Sequence, residues 1–202
     1  MRARFPDATV AAMTKKILVI LGQPQKQSYG AALMQAYVEG ARGAGAEVRE
    51  LFLGDLQFNA VAAGGPAPLE PDLAQAQEAI KWAEHLVFVY PIWWGTIPAL
   101  LKGFIERVFA PGFAVNFRKN SRLWDKLLAG RSARLIVTLN TPSFVYRWVF
   151  GRPGHTTMKR TVLQFCGIRP VRISEIGPIN GSSEDKRQRW LDGVRALGAR
   201  DS

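Results

Sequence analysis

The sequence has one cysteine, Cys166, in 202 residues. No disulfide can form within the chain, and a reducing cytoplasm is the simplest setting. One thiol and two histidines, His85 and His155, cannot build a thiolate-rich zinc cluster. No metal site is therefore expected. No apolar run approaches the roughly 20 residues that span a bilayer. The first fourteen residues, Met1 to Thr14, carry Arg2, Arg4 and Asp7 and lack a continuous apolar core. They read as a frayed extension rather than a secretory signal, ahead of a single domain over 15–202. Acidic residues are scarce in one stretch. Between Arg118 and Arg172 a single acid, Asp125, stands against twelve lysines and arginines, which accounts for the whole net charge of +11. Such a stretch can attract phosphate, nucleic acid or an acidic membrane surface, or it can be a solvated basic face. No recognition helix, zinc finger or aromatic RNA-binding signature accompanies it, so nucleic acid is not an expected partner.

Short apolar runs alternate with amphipathic stretches. Ile17 to Leu21 is continuous and rich in β-branched residues, as in a strand buried on both faces of a parallel sheet. Glu47 to Leu53 alternates and reads as a second strand. Leu86 to Tyr90, Leu135 to Leu139 and Val171 to Ser174 read as three more, the last at an edge because it carries charge. Helical spacing links Leu33, Tyr37 and Ala41, then Leu73, Ala76, Ile80 and Ala83 behind Pro71. It also links Leu101, Phe104, Ile105 and Val108 behind Pro98, and Met158, Val162 and Phe165. Trp190, Val194 and Leu197 mark the final helix, with Ser182 and Asp185 spaced as a capping box. Strand and helix alternate five times, which predicts an α/β domain: a doubly wound five-stranded parallel sheet with helices on both faces. The Ala-, Gly- and Pro-rich loop from Asn59 to Pro71 reads as a flexible excursion.

Ligands of such a sheet sit beyond the carboxyl ends of its strands, where strand order reverses. Gly22 to Gly30 follows the first strand. Ser28 is placed to cap the first helix, so that its hydroxyl and the amides of Tyr29 and Gly30 can face an anion. An ordinary capped turn would look the same. Pro91-Ile92-Trp93-Trp94-Gly95-Thr96 follows the third strand. Two adjacent indoles at a strand end are costly unless covered, and they can in turn cover a planar ligand while nearby amides bond its polar edge. The alternative is that both tryptophans pack the core or a subunit interface. Cys166 reads as a core residue and His85 as structural; Glu106 and Arg107 read as helix-surface or interface charges.

These segments carry a resemblance. Pro24 with Ser28-Tyr29, then Pro91-Ile92-Trp93-Trp94, Pro98-Ala99, Leu101-Lys102-Gly103-Phe104 and Glu106-Arg107-Val108, and finally Leu163-Gln164-Phe165-Cys166-Gly167, resemble the flavodoxin-like NAD(P)H:quinone oxidoreductases. The likeness runs from about Lys16 to Gly198. It implies a flavin, FAD or FMN, whose phosphates meet Ser28, Tyr29 and Gly30. Its ring would lie against Pro91, Ile92, Trp93, Trp94 and Gly95, with Asn140 and Thr141 touching it from the loop after the fourth strand. Many members have His where Gln23 stands, which keeps hydrogen bonding without charge. Their often glycine-rich fourth loop is Asn140-Thr141-Pro142-Ser143 here. The resemblance further implies Tyr146 and His155 on the substrate face, where a hydroxyl or imidazole can donate to a quinone oxygen as negative charge builds on it. Arg147, Arg152 and Lys159 can meet a nucleotide phosphate or be solvated. The implied activity is ping-pong hydride transfer from NAD(P)H to a quinone, by a homodimer to which the aromatic segment Phe109 to Phe117 can contribute an interface. The basic stretch keeps a rival open, a regulatory flavin- or nucleotide-binding subunit docked on a membrane transporter. An azo- or nitroreductase is a closer rival, since one open site serves several flat acceptors.

Overall fold

The computed structural model describes residues 14–61 and 68–202. Residues 1–13 of the extension expected over residues 1–14, and residues 62–67 of the Asn59–Pro71 loop, lie outside the described residues. The chain runs β1 (Lys16–Leu21), α1 (Tyr29–Gly43), β2 (Glu47–Phe52), α2 (Pro71–Trp82), β3 (His85–Pro91) and α3 (Ala99–Val108). It continues through β4 (Val115–Phe117), β5 (Trp124–Lys126), β6 (Ser132–Thr138), α4 (Ser143–Trp148), α5 (Pro153–Thr156), β7 (Val171–Ile176) and α6 (Glu184–Asp201).

Five strands form one parallel sheet in the order β2-β1-β3-β6-β7. The expected fold class is therefore present, with the order of strands reversing between β1 and β3. β1, β3 and β6 occupy the middle because their runs are apolar on both faces: every side chain from Ile17 to Leu21 and from His85 to Tyr90 is buried. β2 and β7 are the edges and carry the charges, among them Glu47, Arg49 and Glu50 on one and Arg172 and Glu175 on the other. One core lies under α2 and α3, where Leu73, Ile80, Leu101 and Phe104 meet Leu86, Phe88 and Leu135. The other lies under α1 and α6, where Leu33, Met34, Tyr37 and Val194 meet Ile17, Val19 and Val87. α1 and α6 cross at backbone contact. A Cβ on Gly40 would stand 1.9 Å from the Arg195 carbonyl oxygen, and one on Gly198 2.1 Å from that of Tyr37.

Several local expectations need correction. β4 and β5, separate from the main sheet, pair as an antiparallel hairpin within a stretch read only as aromatic and basic. The fourth helix is not a regular amphipathic one: after α5 the chain winds in wide π-type turns over Thr157–Leu163. Met158 and Leu163 fill the core there, while Phe165 stacks on Trp124 with ring centroids 4.4 Å apart. The cap of α6 is Ser183, which accepts from the Lys186 amide. Ser182 lies outside the helix, donating to the Ile179 carbonyl and accepting from Arg187.

The basic stretch is not one solvated face, because Arg134 is buried. Its guanidinium forks onto the Asp201 carboxylate, with one contact at 2.8 Å, and donates to Ser174 Oγ at 3.0 Å. Tyr37 donates to the same carboxylate at 3.1 Å, and His85 Nε2 lies 3.5 Å from it. His85, the first residue of β3, is structural as expected; its Nδ1 meets Ser132 Oγ at 2.7 Å. Burial disfavours the charge of Asp201, but Arg134 and His85 more than offset that and hold its carboxyl below the ordinary range.

Candidate active site at the strand carboxyl ends

The carboxyl ends of β1, β3 and β6 release three loops side by side at the switch point. In the first, Gln23 is buried and donates to the Gln25 carbonyl at 3.0 Å and to Ser28 Oγ. Ser28 caps α1 as expected, accepting from the Ala31 amide at 3.2 Å, and its own proton goes to the Gln25 carbonyl. That hydroxyl is thus engaged within the loop. The amides of Tyr29 and Gly30 open the helix, where the first turn leaves donors without intrahelical partners. The Tyr29 phenol turns away to donate to the Arg187 carbonyl at 2.8 Å. Its contribution at this end is its backbone.

The second loop is a tight hairpin. Trp93 and Thr96 exchange two backbone hydrogen bonds, both at 3.0 Å, around Trp94 and Gly95. Both central residues have positive φ, 50° at Trp94 and 79° at Gly95. Glycine suits that conformation; tryptophan does not, so Trp94 is held in a strained one. Its side chain is fully exposed, at 103 %, whereas Trp93 is 43 % exposed.

Trp94 lines a cavity of about 500 Å³, together with Ile92, Gly95 and Tyr146. Asn140 and Thr141 bring polar groups to it from the third loop, and Leu139, Phe150 and Pro153 give it apolar walls. The structure therefore gathers Ile92, Trp94, Gly95, Asn140, Thr141 and Tyr146 around one opening. Gln23, Ser28, Tyr29, Gly30, Pro91, Trp93 and His155 are outside its lining. Leu139, Phe150 and Pro153 were not singled out from sequence. Leu139 looks like the end of a strand and Phe150 like one of several aromatic residues.

The expected roles of Tyr146 and His155 change. Tyr146 is buried; its hydroxyl donates to the Gly95 carbonyl at 3.0 Å and accepts from the Gly154 amide at 3.1 Å. Its proton is committed to bracing the tryptophan turn rather than offered to a bound acceptor. Burial pushes this phenol above its ordinary value. His155 is also buried, edge-on to the Tyr146 ring with centroids 5.2 Å apart. Its Nε2 lies 3.0 Å from Glu175 Oε1, and Arg152 approaches that same oxygen at 3.1 Å. Burial pulls the imidazole below its ordinary value, with Glu175 opposing and Arg152 adding to the fall. Arg152 is thus part of an internal ion cluster rather than a free phosphate ligand. Glu175 and Ile176 are the last two residues of β7, beyond the Ser174 at which the sequence pattern ends the strand. Cys166 is buried, which pushes its thiol up to about 11, as befits a core residue.

The fold and the crevice define a class. The chain belongs to the flavodoxin-like fold family, whose model matches residues 15–197. Relatives within that family include proteins named as NAD(P)H and ribosyldihydronicotinamide dehydrogenases. The chain is 31 % identical over 152 residues to a ribosyldihydronicotinamide dehydrogenase-like protein of Penicillium crustosum; the match covers 61 % of this chain and 57 % of that protein, little over half its length. It is 24 % identical over 208 residues to NAD(P)H dehydrogenase (quinone) 1 of Rattus norvegicus, covering 89 % and 74 % of the two chains. Among solved structures, Smu.1420 from Streptococcus mutans UA159 superposes with a TM-score of 0.79 at 32 % identity, over 92 % of this chain and 99 % of that one.

Proposed function

We propose that this chain is a flavin-dependent oxidoreductase that moves two electrons from NAD(P)H to a quinone or similar flat acceptor. The observation that carries this reading is Trp94, a fully exposed indole in a strained turn at the lip of a cavity beyond the switch point. An exposed aromatic in a costly conformation needs an occupant to explain it. The residues present fit a flavin. The amides of Tyr29 and Gly30 at the start of α1 suit its phosphate, and the shape between Ile92, Trp94, Asn140 and Thr141 suits a flat ring. Bound there, a flavin supplies hydride acceptance from NAD(P)H and delivery of electrons to the quinone.

The protein contributes position and surroundings. Gln23 fixes Ser28, and Ser28 fixes the first turn of α1, so the anion-facing amides are set before binding. Tyr146 pins the Gly95 carbonyl, which sets the backbone of the tryptophan turn beside the ring. Leu139, Phe150 and Pro153 thin the water around the acceptor, which strengthens polar contacts from Asn140 and Thr141. The active form is a homodimer joined through the aromatic segment Phe109 to Phe117, and it works in the cytoplasm, where an unpaired thiol such as Cys166 is kept reduced. No helix among the described residues is long and apolar enough to cross a membrane.

The test is to purify the protein, record its absorption spectrum, identify any released flavin by chromatography, and assay NADH and NADPH oxidation with a soluble quinone. A yellow protein with rapid quinone-dependent turnover is expected. A colourless protein that takes up neither FMN nor FAD refutes the reading. Flavin binding with negligible turnover favours the regulatory rival. Gel filtration as a monomer at working concentration counts against the dimer.

A further inference from the structure

Arg152 stands in a left-handed conformation, with φ at 52° and ψ at 51°. That region favours glycine, and the ring of a following proline pushes the residue before it toward extended backbone. Pro153 follows Arg152 directly, so the conformation is unfavourable twice over. Its surroundings must hold it there. One tie is the Arg152 amide, which donates to the Tyr146 carbonyl at 3.0 Å. The other is Glu175. Val171, Ile173 and Glu175 share one face of β7, and the first two pack on the core. An acid in the third such position needs partners. Its Oε1 has two, Arg152 at 3.1 Å and His155 Nε2 at 3.0 Å, on either side of Pro153 and Gly154.

We propose that Glu175 is a positioning residue of the crevice: by gripping Arg152 and His155 it presses Pro153 and Gly154 onto the tryptophan turn. The inference rests on the flavin reading above and names the group that sets the wall around the ring. Pro153 is itself part of the cavity lining, whereas Glu175 is not. Gly154 lies so close that a Cβ there would stand 2.9 Å from Ile92 Cδ1 and 3.0 Å from the Tyr146 hydroxyl. Its amide donates to that hydroxyl at 3.1 Å and to the Gly95 carbonyl at 3.3 Å. Tyr146 donates to the same carbonyl. The strained turns at Trp94 and Arg152 are thus tied back to back, and the carboxylate on β7 anchors the second of them to the sheet. The whole linkage belongs to one chain, so a second copy covering the crevice leaves it in place.

The test uses the full chain, with and without flavin, and two variants. Glu175→Leu removes the carboxylate. Arg152→Gly releases it from the other side, and glycine adopts a φ of 52° freely, so this variant decides the matter if the first does not fold. In the flavin-free protein both should speed hydrogen exchange over residues 92–96 about ten-fold or more, with β1 and α6 unchanged. In the loaded protein both should raise the flavin Kd about ten-fold, the share of one lost tie. On a Tyr146→Phe background either should add about three-fold at most, because the grip reaches the turn through that hydroxyl. Glu175→Gln keeps the oxygen and should restore most of both readings. Unchanged exchange over 92–96 in the two variants overturns the proposal. So does faster exchange spread evenly along the chain, which would make Glu175 a contributor to stability alone. A Kd that rises by the full factor on the Tyr146→Phe background overturns it as well. Exchange that responds as expected in a protein that binds no flavin supports the grip and refutes the flavin reading, so the two failures are separable.

Discussion

Replacing Trp94 with glycine should make the empty protein more stable and its flavin less secure. Trp94 holds φ at 50° in a two-residue turn whose other member, Gly95, holds 79°. The left-handed conformation costs a residue with a Cβ about 1–2 kcal/mol. Glycine adopts it freely, at the expense of roughly 0.5–1 kcal/mol of chain entropy. The indole buries nothing in the folded chain, being 103 % exposed, so its removal opens no cavity. The net gain is roughly 0.5–1 kcal/mol, or about 2–3 °C in Tm for a chain of this size. Binding should move the other way. If one face of the indole covers the ring, about 100 Å² of apolar contact at about 25 cal/mol per Å² is lost, near 2.5 kcal/mol and roughly seventy-fold in Kd. Scanning fluorimetry of the flavin-free protein and titration by quenching of flavin fluorescence measure the two sides. A Tm that falls by several degrees would show that Trp94 packs against something essential. An unchanged Kd would show that the indole does not cover the ring.

Asp201→Asn should lower the unfolding free energy in urea by about 3 kcal/mol, because it leaves Arg134 buried without its countercharge; a loss under 1 kcal/mol would refute that account. The chain's two histidines are both held below the ordinary 6.5 by burial, against the pull of Asp201 on His85 and of Glu175 on His155. The unfolded chain then takes up protons first, so their stabilisation is complete above about pH 6.5 and is lost as pH falls below it. Urea melts at pH 7.5 and 5.5 should show the loss, and the His85→Gln, His155→Gln double variant should show little of it. Tyr146→Phe removes a hydroxyl that braces Gly95 and Gly154, so flavin should bind more weakly and the protein melt lower by about 1–3 kcal/mol. The pH profile of turnover per bound flavin should stay put; loss of an alkaline limb in that profile would restore Tyr146 as a proton donor.

Much of this fold could be read from pattern. Ile17–Leu21 and Leu86–Tyr90 are apolar without interruption because both faces of a central parallel strand are covered, and that run survives in any context. Ser28 was legible as a cap, since the chemistry lies within three residues. What was not legible depends on partners distant in sequence. Arg134 sits between Ala133 and Leu135 and looks like surface charge until Asp201 is brought beneath it. β4 and β5 are three residues each, too short for a period to register, and form because each is the other's partner. The site was legible to the same extent. The tryptophan turn and Asn140-Thr141 follow strand ends and could be placed. Tyr146 and His155 could be placed near the crevice, but their burial and their bonds to Gly95 and Glu175 belong to the packed state alone.

The clasp between Arg134 and Asp201 has a consequence for how the protein is made. Arg134 belongs to a central strand, yet its countercharge stands 67 residues further along the chain and is delivered only when α6 lies down on α1. While residue 201 is still in the ribosome, the emerging sheet cannot close without stranding a cation in its interior. Closing the middle of the sheet and docking α6 are thereby one event rather than two, and α6 cannot come away without leaving the arginine unpaired.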